Sequence, residues 1–319
     1  MNYEIPDIVK DEINLILSKK YIYVNIVSEN FQEDYLNILN KIKLFSNKFN
    51  KFLILIKHEV ITDEWFFDEI VKIIHESKKD IKICQATASN DILYGTHPFT
   101  HIFLWKLEGI RKSDKEIDYN DFTSQIFPRF LYNKFDNYVN IKNKKTILSV
   151  RNNSYLRDEI IKKIDTKSIS IFRYLNINSN NNFNESIPWY DLIEEYKKTY
   201  VSFVLETNYG KNISNYFTEK TILSFLTGCI PIVYGQKNLI KDLENLGFWI
   251  ANKDFGFENG DDYSNQSNYK IELYSKCVNN ISSMDINDIK NYYQENINKI
   301  YRNWEIIYTI FNYGNKNII

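Results

Sequence analysis

The chain has 319 residues, 44% hydrophobic and 25% charged, with a formal net charge of −1. The length predicts about two domains, each large enough to bury a core, and the composition excludes a disordered chain. The near-zero charge gives no overall electrostatic reason to bind nucleic acid or an acidic membrane, and a local basic run such as IKNKKT (141–146) is read first as solvated linker.

Cys84, Cys229 and Cys277 lie far apart, which predicts a reducing compartment and no disulfide framework. Neither they nor the four histidines have the spacing of metal ligands. The opening MNYEIPDIVKDEINLIL carries acidic residues early and no basic stretch ahead of a long apolar core, so no signal peptide is expected. No apolar run approaches the roughly 18 residues of a membrane span. A cytoplasmic protein is the expectation.

The first half alternates strand-like and helix-like segments. YIYVNIV (21–27) and KFLILIK (51–57) are the short β-branched or apolar runs that parallel sheets bury. Between them DYLNILNKIKLFSNKF has helical spacing, DEWFFDEIVKIIHES (63–77) repeats it, and DIKICQAT follows as a strand. THIFLWKL (100–107) reads as a further strand. The rhythm predicts an α/β domain. The polar stretch NKFDNYVNIKNKKT (133–146) sets a boundary, giving domains 1–140 and 141–284 with a terminal helix in 285–319.

The second half restarts the rhythm. TILSV (146–150) is a strand, RNNSY a loop, LRDEIIKKI a helix, SISIFRYL a strand and WYDLIEEYKKT a helix. YVSFVLE (200–206), a helix over 218–227 and a strand over 230–234 then form a strand–crossover–strand unit, which requires parallel strands. Thr218 is placed as N-cap and Gly228 as the left-handed residue after the helix. At the end, apolar residues at 289, 293, 297, 300, 304, 307 and 311 predict one long amphipathic helix over 285–311.

Ligands of open α/β sheets bind beyond the carboxyl ends of the strands, where the loop 206–217 and the next helix start fall. A helix N-terminus offers free N–H groups and partial positive charge to a phosphate. Lys220 adds a full charge, and Glu219 is placed to accept hydrogen bonds from a ribose diol. A plainer reading stands beside this one. The macrodipole favours Glu in any first turn, and an adjacent Lys is often only solvated.

The whole segment FVLETN…YFTEKTILSFLTGCIPIVYG resembles the donor-binding signature of the α1,3-fucosyltransferase family, F-E-N then Y-V-T-E-K, a short helix and P-V-Y-x-G. It is also similar to related phage-encoded and bacterial glycosyltransferase-like proteins, as is LENLGFWI (243–250). LSVRNNSYLRDEII (148–161) resembles the family's strand–loop–Arg–helix element, so the resemblance covers roughly 146–255. It implies an α/β protein of GT-B architecture: two Rossmann-like domains facing a cleft, the terminal helix crossing back to the first. It implies transfer of a sugar from a nucleoside diphosphate sugar, GDP-fucose first, to an acceptor hydroxyl, inverting and without a metal. It implies no further cofactor.

By the same resemblance Glu219 meets the ribose, Lys220 and Arg157 the diphosphate, and Tyr216 the base, and Glu206 is the acidic residue ending the preceding strand. Arg157 follows a strand, where a guanidinium can take a diphosphate bidentately, and positive charge there stabilises the leaving group. Arg151 is placed to share that role or to be an ordinary surface residue.

The sequence departs from the family in three ways: LETN replaces F-E-N, the loop from Glu206 to Glu219 is longer, and no E-N-x-x-P context supplies the general base. Glu108 in LWKLEG, Asp91 in SNDILYG and His97 or His101 in GTHPFTH remain as candidate bases. The acceptor stays open among a glycan, a surface polysaccharide precursor and a phage-type DNA base, which the net charge does not favour. A non-catalytic nucleotide- or glycan-binding module is the alternative from another class.

Overall fold

The computed structural model describes residues 3–18, 20–25, 31–58, 64–87, 97, 99–100, 134–151, 155–175, 192–206, 219–235, 238–257 and 268–316. The chain divides into two compact units, Met1–Leu131 with Thr309–Ile319, and Tyr132–Tyr308. Each holds a parallel sheet interleaved with helices, the α/β class that the sequence rhythm predicts. No described helix is long and apolar enough to cross a membrane.

In the first unit, helix α1 (Asp7–Ser18) precedes strand β1 (Lys20–Asn25), α2 (Phe31–Lys48), β2 (Lys51–His58), α3 (Glu64–Ser77) and β3 (Asp80–Thr87). The strands lie in the order β1-β2-β3, in register from Lys20↔Phe52 and Lys51↔Asp80. Two successive steps in one direction place both crossover helices on one face of the sheet. The core agrees, because Tyr35, Leu39 and Ile42 of α2 and Phe66, Ile70 and Ile73 of α3 pack with Phe52 and Ile54. Their spacing of three and four residues gives each helix one apolar stripe. Tyr35 stacks on Phe66 with ring centres 4.3 Å apart. Phe99 and Thr100 are helical where a strand was expected to begin, and residues 101–107 lie outside the described residues.

The second unit runs α4 (Phe135–Ile141), β4 (Lys144–Arg151), α5 (Tyr155–Lys163), β5 (Ile171–Leu175), α6 (Ile193–Lys197), β6 (Thr199–Leu205), α7 (Glu219–Leu226), β7 (Ile230–Tyr234), α8 (Leu239–Asn245), a 3₁₀ turn (Lys253–Phe255), α9 (Asn268–Ser283) and α10 (Ile286–Glu295). The last helix, α11 (Ile297–Lys316), counts with this unit up to Tyr308 and with the first from Thr309, where Asn14 of α1 donates to the Tyr313 hydroxyl at 3.4 Å. Phe135 and Tyr138 of α4 are buried in the second unit's core with Tyr293 and Trp304. That burial ties α4 to the second unit.

The strand order is β5-β4-β6-β7, all parallel. The chain steps from β4 to one side, then returns past it to β6. Strand β7 is fully buried, and its outer edge is covered. Asn252 accepts the Val233 N–H at 2.8 Å and donates to the Val233 carbonyl at 2.6 Å. One side-chain amide thus stands in for a neighbouring strand. Asn303 treats Trp249 the same way, with both bonds at 2.7 Å.

The long helix expected over 285–311 is two helices that meet at Asn296. The Asn296 side chain donates to the Tyr292 carbonyl at 3.0 Å, competing with the backbone for that acceptor. Asp285 caps the first helix by accepting the Asn287 N–H at 2.8 Å.

Candidate functional site

Strands β4 and β6 separate before they end. Strand β4 pairs with β5 through Arg151↔Leu175, but with β6 only as far as Leu148↔Phe203. This is the switch point of the sheet, where the winding reverses and where open α/β sheets form their ligand crevices. The residues past the last shared pair are Ser149 to Arg151 on one side and Val204 to Glu206 on the other.

Two helices read the freed end of β6. Arg157, on the first turn of α5, is 1% exposed, and its Nη2 donates to the Leu205 carbonyl at 3.1 Å. Tyr274 of α9 donates its hydroxyl to the Val204 carbonyl at 3.3 Å. Its ring lies 5.3 Å from Tyr234 and 5.1 Å from Phe257, so it is set by the core. The Leu205 carbonyl faces the side that β4 has left, where Arg157 takes the place of a strand partner, while the Val204 carbonyl faces β7.

Glu206 follows at once, also 1% exposed. Its N–H donates to the Tyr234 carbonyl at 2.9 Å, extending the β6–β7 pairing by one residue. Its carboxylate accepts the hydroxyl of Thr221, the third residue of α7. A Cβ added at Gly235 would stand 3.2 Å from Glu206 Cβ and 2.4 Å from Leu239 Cδ2. Gly235 therefore leaves the room that Glu206 fills.

Helix α7 is placed by its ends. Gly228 has φ +62°, donates to the Phe225 carbonyl at 3.1 Å, and Cys229 donates to Ser224 at 2.9 Å. That pair of bonds is a Schellman stop, with Gly228 in the role the sequence assigns it. Ile222, Leu223, Phe225 and Leu226 are buried, and Phe225 stacks on Phe248 at 4.5 Å. The helix packs on β6, β7 and α6, with Lys220 half-buried in its first turn.

The structure thus brings Arg157 and Glu206 to adjoining peptides, and Glu219 and Lys220 to the helix start beside them. Glu219 opens α7 and Arg151 ends β4, but the side chains of both lie outside the described residues. Tyr216 and Thr218 lie outside them too, as do Glu108, Asp91 and His101.

His97 is described, in the first unit. Its N–H donates to the Glu12 carboxylate at 3.1 Å, and its Nδ1 accepts the Phe99 N–H at 3.2 Å. Thr100 donates its hydroxyl to the same Glu12 carboxylate. Burial holds the His97 imidazole below its ordinary value, opposed by the Glu12 charge. With Nδ1 accepting, the neutral ring carries its proton on Nε2.

Sequence reasoning missed Thr221 and the splay of β4 from β6. A threonine in a first helical turn is ordinary, and strand order leaves no local signal. The second unit also buries a cation at the opposite edge of its sheet. Lys142 donates to the carbonyls of Thr199 at 2.6 Å and Thr227 at 3.0 Å, 3.8 Å from the Cys229 sulfur. Its charge lies 5.6 Å from the Tyr293 ring centre. Burial pushes the Lys142 ammonium below its ordinary value, partly countered by Cys229.

No family model, curated protein or solved structure matches the chain, so the likeness to fucosyltransferases rests on the residues of 146–255 themselves.

Proposed function

We propose that the protein is a glycosyltransferase that takes a sugar from a nucleoside diphosphate sugar to an acceptor hydroxyl, with the donor bound at the carboxyl edge of the second unit's sheet. One observation carries the reading. The sheet's switch point, parted after Leu148↔Phe203, is where Arg157, Glu206 and the first turn of α7 converge. A switch-point crevice with an arginine and a helix N-terminus suits a diphosphate.

In this reading Lys220 and the first-turn N–H groups of α7 meet the diphosphate, and Glu219 the ribose. Arg151 and Arg157 add positive charge, and Tyr216 lies against the base. Charge developing on the leaving diphosphate is then stabilised by groups already in place, which supports transfer that is inverting and metal-independent. GDP-fucose is the first donor to test. The count of α11 from Thr309 with the first unit supports a GT-B arrangement with a returning terminal helix.

A binding module without turnover is the second reading. It is favoured by the engagement of the His97 ring, whose Nδ1 accepts the Phe99 N–H. Release or transfer of radiolabelled sugar from GDP-fucose and UDP-sugars separates the two. An enzyme turns over one of them at least slowly with water; a module binds and releases it unchanged.

A further inference from the structure

Among the described residues, a side-chain bond ties the end of β6 to the start of α7. Glu206 stands at the end of β6 and Thr221 in the first turn of α7, and the Thr221 hydroxyl donates to the Glu206 carboxylate. Both groups are buried, Thr221 completely and Glu206 to 1%. Each end is anchored independently. Glu206 is fixed by its N–H on the Tyr234 carbonyl and by the close approach of Gly235. Its neighbour Leu205 is held by Arg157. Helix α7 is fixed at its far end by the Schellman stop at Gly228.

The near end of α7 has no such stop in its own backbone, because a helix's first N–H groups lack intrahelical partners. The Thr221 bond holds this turn against fraying and with it the aim of its N–H groups. A buried carboxylate accepting a hydroxyl is a charge-assisted bond, among the stronger kinds available. From these relations we infer that Thr221 is a positioning residue for the nucleotide site: its hydroxyl clasps Glu206 and so holds the first turn of α7, with Lys220, in place to receive the diphosphate. The inference rests on the nucleotide-sugar reading above. Thr221 itself, buried between strand and helix, does not touch the ligand.

The test is calorimetric titration of the full-length protein with GDP, UDP, ADP and CDP. Wild type is compared with T221V, which keeps the shape, T221A, which suits a helix, and T221S, which keeps the hydroxyl. Whichever of T221V and T221A folds should bind the preferred diphosphate about tenfold more weakly, as loss of a charge-assisted bond warrants. T221S should stay within about twofold of wild type on the same ground, since its bond is retained. Melting curves run in parallel identify a purely structural hydroxyl, which would lower Tm and leave the affinity of the folded protein unchanged. Wild-type affinity in T221V or T221A overturns the inference while leaving the nucleotide reading standing. A wild-type protein that binds none of the four overturns both together.

Discussion

Arg157 donates from Nη2 to the Leu205 carbonyl at 3.1 Å, and this bond serves the edge of β6 that β4 leaves after Leu148↔Phe203. A guanidinium completing a strand end is a structural role, and it also puts a fixed, buried positive charge beside the switch point. R157M keeps most of the volume and removes both. It should lower stability by about 1.5–3 kcal/mol, the range for a lost charged hydrogen bond, and weaken nucleotide binding. R157K keeps the charge without the planar fork and should recover only part of either. Urea titrations followed by tryptophan fluorescence, with a shifted midpoint and an unchanged slope, measure the first effect.

Lys142 gives a prediction with a sign in pH. Burial lowers its folded value from the ordinary 10.5, so the unfolded chain holds this proton to higher pH than the folded one does. Between the folded value and 10.5 the unfolded state binds more protons, and this group's contribution makes stability rise with pH. Tyr293, facing Lys142, is raised by its own burial. It therefore acts the other way above about pH 10, where the unfolded phenol ionises first. K142M cancels the lysine contribution alone. Wild type should gain on K142M as pH rises towards 10.5, measured by urea unfolding from pH 7 to 10.5. At pH 7 K142M should still be the less stable by about 1–3 kcal/mol, because the Thr199 and Thr227 carbonyls lose their donor.

Asn252 offers a test of the covered edge of β7. N252L leaves the Val233 N–H and carbonyl buried without the amide that serves them, and should cost about 2–4 kcal/mol. N252D keeps the acceptor but turns an oxygen towards the Val233 carbonyl, so it should be no better than N252L. Urea midpoints of the two variants decide it.

How much of this was legible beforehand can be argued residue by residue. Helix 219–226 and strand 230–234 were readable because Gly228 marks the stop and the apolar residues are contiguous. Glu206 was readable as a charge at a strand end and Arg157 as one at the start of the helix after a strand. Their burial was not, since it depends on Gly235, Thr221 and Leu205 meeting from distant parts of the chain. The break at Asn296 was hidden because Tyr293, Ile297 and Ile300 keep the helical period across it. The break itself is one residue, Asn296, whose backbone leaves the helical region (φ −105°, ψ 11°) and whose side chain bonds Tyr292. The sheet order, which makes the switch point, is a long-range property with no signature in any short window.

The most direct test of the donor site is a thermal-shift screen of nucleoside diphosphates and their sugars, GDP-fucose among them, on wild type and K220A. A ligand of the native state at 100 times its dissociation constant stabilises by about 2.7 kcal/mol. For a protein of this size that is a rise of several degrees in Tm. The account predicts such a rise for one nucleoside diphosphate and its sugar in wild type, and a much smaller one in K220A at the same concentration. A wild-type Tm unmoved by every member of the screen would contradict it, as would a rise of the same size in K220A.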